Sequence, residues 1–368
     1  MSSRPIDPRV QALLDEANML PSCAACETLL ERAASAAETL GDLDTAWSAR
    51  CRILGSTASH NSPRFETLFM CLAWCLAVSD AEPERFPASA VLWEYKWVVS
   101  AAPEYAAIPR GVLERIADDM DGRFIKAGWG PRAGIHKRME MRLQTGDQAG
   151  ALALVPKWWA ARRDRGSDCN ACEASSMVHL LAECGRHEEA VRAARPIMAG
   201  RLSCATVPHS TFGSLLVSLA RLERHRDAKD LYDRGRRLVA AMDEGCRETP
   251  AYLVYAAFTG EVEDAKAMLR RRLTEASALR SDMRRAEWFG QAAAALGFLH
   301  WHGEDTIDIP KCGDLNPGGD VSTRVLAQTC RRIALGHARD LDCRNGNAYW
   351  TRWVNTRGER YGPLPNRP

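Results

Sequence analysis

A glycine followed five residues later by an alanine, with mostly polar or acidic residues between them, recurs along this chain of 368 residues. The pattern occupies residues 41–46, 146–151, 185–190 and 260–265, and residues 223–228 are a version without glycine. From residue 146 onward, successive copies are 39, 38 and 37 residues apart. Glycine readily takes the left-handed conformation that ends a helix, and acidic residues favour the positive end of the next helix. The pattern therefore predicts helical hairpins joined by tight turns.

Apolar segments with helical spacing lie on both sides of these turns. Residues 176–184 and 190–198 flank the turn at 185, and residues 212–222 and 228–239 flank the turn at 223. Two helices per unit of roughly 34 to 45 residues are typical of α-solenoids, in which each unit buries its apolar face against its neighbours. The sequence predicts an all-α fold of this kind.

The turn segments resemble the G-x-y-x-x-A turn of the tetratricopeptide-repeat family. Residues 169–239 also resemble a group of bacterial proteins of this type that share D-C-x-x-C, G-R-x-E-E-A and G-R-L-x-C in that order. The resemblance implies a right-handed α-solenoid in which the first helix of each unit lines the concave surface. Side chains expected there, as contacts for a partner, are His136, Arg142, His179, Ser214, Tyr252, Tyr255, Arg285 and Trp288.

Changes in pattern divide the chain into four sections. Residues 1–78 form N-terminal helical hairpins, 79–130 a divergent section punctuated by prolines, 131–283 the repeats, and 284–368 C-terminal helices with a capping tail. Within them, helices are expected at 90–102, 110–128 and 132–143. A polar loop rich in glycine and proline is expected at 305–320, before a helix at 322–341.

Four residues have the spacing of a zinc site: Cys169 and Cys172 as C-x2-C, then Cys204 and His209 as C-x4-H. In a helical hairpin, the residues entering the first helix and those leaving the second meet at the open end. Thiolate and imidazole groups are the ligands that tetrahedral Zn²⁺ prefers. We therefore predict a structural zinc ion here, because four protein ligands leave no position for a reacting water.

Two other interpretations of these cysteines stay open. One is a chance cluster in a chain with 13 cysteines, and the other is a redox dithiol, although C-x-x-C catalysis normally follows a strand in a thioredoxin-like unit. A similar motif, Cys23 and Cys26, precedes an earlier helix and raises the question of a second metal site. Its further ligands would have to be Cys51 and His60.

Composition narrows the range of functions. The formal net charge of +2, from 49 basic and 47 acidic residues, gives no general attraction to nucleic acid or acidic lipid. The N-terminus has no apolar signal segment, and the longest apolar run, residues 68–78, is far shorter than the roughly 20 residues that span a bilayer. We expect a cytoplasmic protein with no membrane segment, whose cysteines are mostly reduced.

The sequence contains no phosphate-binding loop, dinucleotide fingerprint, zinc-protease motif or nucleophile elbow. We therefore predict a non-catalytic adaptor or scaffold that binds a protein or peptide on its concave face. One alternative is a regulatory or sensor subunit of a bacterial signalling or defence system. A less favoured one is a helical-repeat nucleic-acid binder, in which Trp158 and Trp159 would stack on bases rather than anchor the core.

Overall fold

The computed structural model describes residues 5–21, 23–57, 65–242, 247–312 and 318–361. The protein is all-α, with about three quarters of it helical and almost no strand. Its contacts divide the chain into two compact units. The first comprises Met1–Ala102, Gly111–Lys137 and Lys157–Ser167, and the second comprises Pro103–Arg110, Arg138–Pro156 and Asp168–Pro368.

The first unit is built from consecutive helices and their connections. They are α1 (Pro8–Asn18), α2 (Ala24–Thr39), α3 (Leu43–Thr57), α4 (Phe65–Ala81), α5 (Leu92–Ala101) and α6 (Arg110–Lys126). Residues of α7 (Arg132–Gln144) and α8 (Gln148–Ala160) belong partly to each unit. The helices expected at 90–102, 110–128 and 132–143 are thus confirmed as α5, α6 and α7.

The second unit continues the alternation of helices and turns. Its helices are α9 (Asn170–Glu183), α10 (His187–Met198), α11 (His209–Arg221), α12 (His225–Ala240), α13 (Thr249–Thr259), α14 (Val262–Ser277), α15 (Asp282–Trp301), α16 (Thr323–Asn345) and α17 (Tyr349–Asn355). Helices α9, α11, α13 and α15 contact one another in that order, and each of α9, α11 and α13 also packs against the helix that follows it.

The predicted turns have the same backbone geometry in all five places. The residues at 41, 146, 185, 223 and 260 have φ between 55° and 85°. In each turn the next residue donates its N–H to the carbonyl five positions back at 2.8–2.9 Å, as in a Schellman motif. The alanine that closes each pattern is 0% exposed. The predicted left-handed turn and close helix contact are therefore confirmed.

Glu223 adopts this geometry without the conformational freedom of glycine. Its φ of 55° is the one positive value of a non-glycine residue in the described parts of the chain. A side chain in the left-handed region costs about 1 kcal/mol, and the paired helices α11 and α12 hold the turn in place. Spacing and the terminal alanine therefore define the turn even where glycine is absent.

The expectation of a polar loop at residues 305–320 is wrong in part, because two short strands form there. Strand β1 (Thr306–Ile309) pairs antiparallel with β2 (Gly319–Ser322), with Ile307 opposite Val321. Ile307 and Ile309 are each 2% exposed while the residues between and before them are exposed. This period of two is the pattern of a half-buried strand.

No described helix combines the length and apolar character needed to cross a membrane. The division of the chain into sections 1–78, 79–130, 131–283 and 284–368 stays a prediction.

Gly235 provides a test of the packing between α12 and α13. A Cβ placed there would lie 2.5 Å from Cε1 and 2.7 Å from Cζ of Tyr252, a side chain that is 0% exposed and donates its O–H to the His209 carbonyl at 2.6 Å. We expect Gly235→Ala to lower the free energy of unfolding by about 1–3 kcal/mol, despite the better helix propensity of alanine.

The matched control is Gly336→Ala in α16, where a Cβ would meet nothing within 4 Å. That variant is expected to gain up to about 1 kcal/mol. Urea unfolding of both variants measures the difference. Equal stability of the two would show that Tyr252 is not fixed in its position.

Candidate functional site

Three cysteines converge where α9 begins and where the loop before α11 passes it. Cys169 is the N-cap residue of α9, Cys172 lies in its first turn, and Cys204 lies in the loop. Their sulfur atoms all lie within 4.8 Å of one another. The structure thus brings together three of the four residues that the sequence selected.

The contacts within this three-cysteine cluster are short. The Sγ atoms of Cys172 and Cys204 are 3.5 Å apart, and Cys169 Sγ accepts the N–H of Cys172 at 3.3 Å. The hydroxyl of Thr206 lies 3.5 Å from Cys204 Sγ and 3.9 Å from Cys172 Sγ. Cys169 is exposed and the other two cysteines are half-buried, so the cluster is open to solvent on one side.

The surroundings of the two half-buried thiols, Cys172 and Cys204, shift their pKa values in opposite directions. Burial, followed by hydrogen bonds with Cys169 and Cys204, raises the pKa of Cys172. At Cys204 burial acts in the same direction, but hydrogen bonds from Thr206 and its neighbours outweigh it, so the pKa of this thiol is lowered. Cys204 is therefore the easier of the two to ionise.

The geometry of the sulfur atoms suits a soft metal ion. Two thiolates bound at about 2.3 Å to a tetrahedral Zn²⁺ are about 3.8 Å apart, which is close to the 3.5 Å between Cys172 and Cys204. The start of α9 adds the positive end of a helix dipole, which favours the thiolates that a metal requires. The three-cysteine cluster could therefore hold a metal ion.

His209 does not join the cluster, in contrast to the sequence prediction. It is the first residue of α11 and is 7% exposed. Its carbonyl accepts the Tyr252 O–H, its Nε2 has no hydrogen-bond partner in the described parts of the chain, and burial lowers the pKa of its imidazole. The side chain lies in the interior, and neither of its ring nitrogens is within 4.8 Å of all three sulfur atoms.

The N-terminal cysteine pair forms no comparable cluster among the described residues. Cys26 is buried and donates its thiol to the carbonyl of Ala17 at 3.4 Å. Cys51 interacts instead with Cys75, whose hydrogen bond lowers the pKa of the Cys51 thiol. His60 lies outside the described residues.

A second group of possible metal ligands was missed by the sequence analysis. Asp282 in the first turn of α15 lies beside His337 and Asp340 of α16, with their ligand atoms within 4.8 Å of one another. The i, i+3 spacing of His337 and Asp340 was the available signal. Asp282 already accepts His337 Nδ1 and the Ala106 N–H, both at 2.8 Å, so this group is explained by hydrogen bonding within the fold.

Half of the predicted partner contacts are buried. His136, Tyr252, Tyr255 and Trp288 are only 0–3% exposed, so they belong to the core and cannot reach a partner. This corrects the prediction, which placed them on the concave surface without knowing the rotation of each helix. Trp158, the alternative base-stacking residue, is also 0% exposed.

The other four candidates reach solvent but already make contacts. Arg142 forms an ion pair with Asp147 at 2.7 Å, and Arg285 donates to the carbonyl of Leu279 at 3.0 Å. His179, which is exposed, approaches the hydroxyl of Ser214 at 3.4 Å across α9 and α11. Of these four side chains, Arg142 and His179 are exposed, and Ser214 and Arg285 are half-buried.

The face formed by α9, α11, α13 and α15, which we call the inner face, carries the last described segment of the chain. Helix α17 contacts α15, and the 3₁₀ helix Gly358–Tyr361 contacts α11, α13 and α15. We call residues Tyr349–Tyr361 the C-terminal segment. Trp350, Trp353 and Tyr361 are buried in this position, as expected for aromatic side chains of a docked tail.

Glu183 is the polar centre of this contact. The Arg360 guanidinium donates to Glu183 Oε2 at 2.7 Å, and the Trp353 indole N–H donates to the same oxygen at 3.1 Å. Arg357 lies 3.6 Å from Oε1. Burial opposes ionisation, but the charges of Arg360 and Arg357 dominate and hold the pKa of Glu183 well below its usual range.

No protein-family model matches this chain, and no curated protein sequence matches it either.

Removal of a thiol tests the three-cysteine cluster. We expect the protein as purified to contain close to one equivalent of zinc, and Cys172→Ser to lose it, because two sulfur ligands hold zinc poorly. Elemental analysis without added metal gives the content. Cys184→Ser, a half-buried cysteine at the other end of α9, is the matched control and should keep the metal.

The zinc content also distinguishes a site made of the three cysteines from a site that includes His209. His209→Ala should keep the zinc if the cysteines hold it, and should lose it if His209 is a ligand. Less than about a tenth of an equivalent in the wild type, with a Cys172–Cys204 disulfide forming under mild oxidation, would favour the redox interpretation.

Because of Glu183, the free energy of unfolding should decrease as the pH becomes acidic. Because its pKa is lowered in the folded state, its ion pairs stabilise the fold above the usual glutamate pKa of about 4.3, and this contribution is lost as the pH falls below that value. Glu183→Gln should cost about 3 kcal/mol at pH 7. The difference from the wild type should shrink on acidification, and urea unfolding at pH 7 and pH 3.5 measures it. A difference that does not change with pH would contradict the assignment.

Proposed function

We propose that this protein is a non-catalytic adaptor that binds a segment of another protein on its inner face, within a right-handed, tetratricopeptide-like solenoid. The five turns of one geometry, each closed by a buried alanine, support this architecture. Contacts between alternate helices from α9 to α15 support a continuous inner face, the surface on which such arrays recognise partners.

The observation that carries the proposal is the position of the C-terminal segment. Helix α17 contacts α15, the 3₁₀ helix Gly358–Tyr361 contacts α11, α13 and α15, and the segment places arginines and aromatic rings against the inner face. Docking of an extended or helical segment on a preformed helical surface is a common mode of peptide recognition. The inner face can therefore accommodate a protein segment through side chains that are in place.

We further propose that the three-cysteine cluster holds a structural zinc ion. Cys169 and Cys172 belong to the start of α9, and Cys204 belongs to the loop that leads into α11. A metal bound to all three would close the open end of the α9–α10 hairpin, joining its start to the loop that follows its end. Its contribution would be to the rigidity of the inner face rather than to a reaction.

A regulatory or sensor subunit of a signalling or defence system differs from this proposal only in the identity of the partner. A nucleic-acid binder differs physically, because phosphate recognition needs a positive surface. The net charge of +2 and the burial of Trp158 argue against it. The protein is proposed to act in the cytoplasm.

The adaptor proposal predicts that partner contacts are confined to the inner face. A photo-crosslinking amino acid at His179, which is exposed on α9, should give discrete protein adducts in cells. The same group at Leu238, which is 42% exposed on α12, is the matched control and should give none. Equal labelling at the two positions would contradict a specific inner-face partner.

We also expect no measurable affinity for RNA or single-stranded DNA at physiological salt. Binding through phosphates would weaken steeply as salt rises, because neutralised phosphates release counterions. A filter-binding titration at two salt concentrations tests this. Sub-micromolar affinity with a steep salt dependence would overturn the adaptor proposal in favour of the nucleic-acid binder.

A further inference from the structure

The inner face has a specific chemistry at the point where the C-terminal segment binds. Trp353, Arg357 and Arg360 follow one another at intervals of four and three residues, from α17 through a turn into the 3₁₀ helix Gly358–Tyr361. All three side chains meet Glu183. The receptor side of this contact thus consists of one carboxylate that accepts hydrogen bonds from an indole N–H and from the Arg360 guanidinium, with the Arg357 guanidinium 3.6 Å away.

We call the Glu183 carboxylate and the neighbouring Ala182 carbonyl the Glu183 seat. Resting on the function proposed above, we propose that this seat recognises a partner segment in which an aromatic residue is followed by arginines four and seven positions later, and that the C-terminal segment occupies the seat in its absence. The C-terminal segment is then an intramolecular competitor. Its chemistry defines the chemistry of the partner.

The location of Glu183 explains why the seat needs positive charge. Glu183 is the last residue of α9, where the helix dipole is negative and disfavours a carboxylate. Its side chain is only 13% exposed, so water stabilises the negative charge of the carboxylate poorly. Guanidinium groups can satisfy both carboxylate oxygens and the nearby helix-end carbonyls, and Arg360 does donate to the carbonyl of Ala182 at 3.3 Å.

Contacts with uncharged acceptors and an aromatic ring continue from the Glu183 seat along the inner face. Arg357 donates to Gln291 Oε1 at 3.0 Å, and the Tyr361 hydroxyl donates to the carbonyl of Ala251 at 3.3 Å. The Tyr361 ring lies 5.5 Å from that of Phe258. The seat therefore selects for the order of aromatic and basic residues as well as for charge.

One hydrogen-bond donor of the C-terminal segment has no partner when the segment is bound. Arg357 is 6% exposed, and its Nε finds no hydrogen-bond partner among the described residues. An unsatisfied buried donor weakens the contact, so the internal segment is an imperfect ligand. A partner segment whose donors are all paired when it binds can therefore compete with the C-terminal segment.

Covalent attachment favours the internal segment in this competition. Its start is held by Asp342 near the end of α16, whose carboxylate accepts the N–H groups of Trp350 and Thr351 at 2.8 and 2.9 Å. A short connection of this kind gives an effective concentration of the order of millimolar. A free copy of the segment should therefore bind only when the internal one is weakened.

The test uses the full-length protein and a fluorescein-labelled synthetic peptide with the sequence of residues 347–361. We expect the Arg357→Ala/Arg360→Ala variant to bind this peptide at least tenfold more tightly than the wild type, by fluorescence anisotropy. Adding Glu183→Gln to that variant should abolish binding. A peptide that carries alanine at both arginine positions should bind neither protein.

Folding of each variant is checked by circular dichroism and thermal unfolding. If the double variant does not fold, Arg360→Lys, which keeps the charge but loses the paired donors, replaces it and should still bind the peptide more tightly than the wild type. A folded variant that does not bind the peptide would show that the C-terminal segment is a permanent part of the fold and would overturn the proposal. Equal binding to the wild type would place the peptide elsewhere and would overturn it as well.

These outcomes are separate from those that test the adaptor function. Partner adducts at His179 without peptide binding would leave an inner-face adaptor with a fixed C-terminal cap. Peptide binding without adducts at His179 would support the Glu183 seat as a binding site but would contradict the proposal that a partner protein binds the inner face in cells.

Discussion

The tight turn between paired helices is the constraint on which the rest of the second unit depends. A residue in the left-handed region ends one helix, and an alanine with no exposed surface lets the next helix pack closely on it. Each repetition sets the angle at which a hairpin leaves the turn. Because the geometry is the same each time, the first helices of successive hairpins become neighbours, and the inner face follows from this repetition.

Both candidate sites lie at the ends of α9. The three-cysteine cluster surrounds its positive end, and Glu183 lies at its negative end, where two arginines compensate an unfavourable carboxylate. One helix thus connects a possible metal centre with the seat of the C-terminal segment. Changes at either end act on the same rigid element.

Residue types and their spacing in the sequence were enough to predict the helices and turns. The direction in which each side chain points could be read only from the folded structure. The glycine and alanine spacing predicted where hairpins close, even at Glu223. The strand of Ile307 and Ile309 was missed because four alternating residues are a short signal beside several glycines and prolines. His209 and four of the partner candidates failed for one reason: spacing along the chain gives proximity, but the rotation of a helix decides which side chains are buried.

The contact between Glu183 and Arg360 joins residues that are 177 positions apart. In an array held only by nearest neighbours, each hairpin can form as soon as the preceding one exists, and folding is fast because contacts are local. Closure by the C-terminal segment adds a step of high contact order that must wait until residues 349–361 have been synthesised. During translation the residues of α9, α11, α13 and α15 are synthesised before Arg360, so the Glu183 carboxylate exists before the arginine that pairs with it.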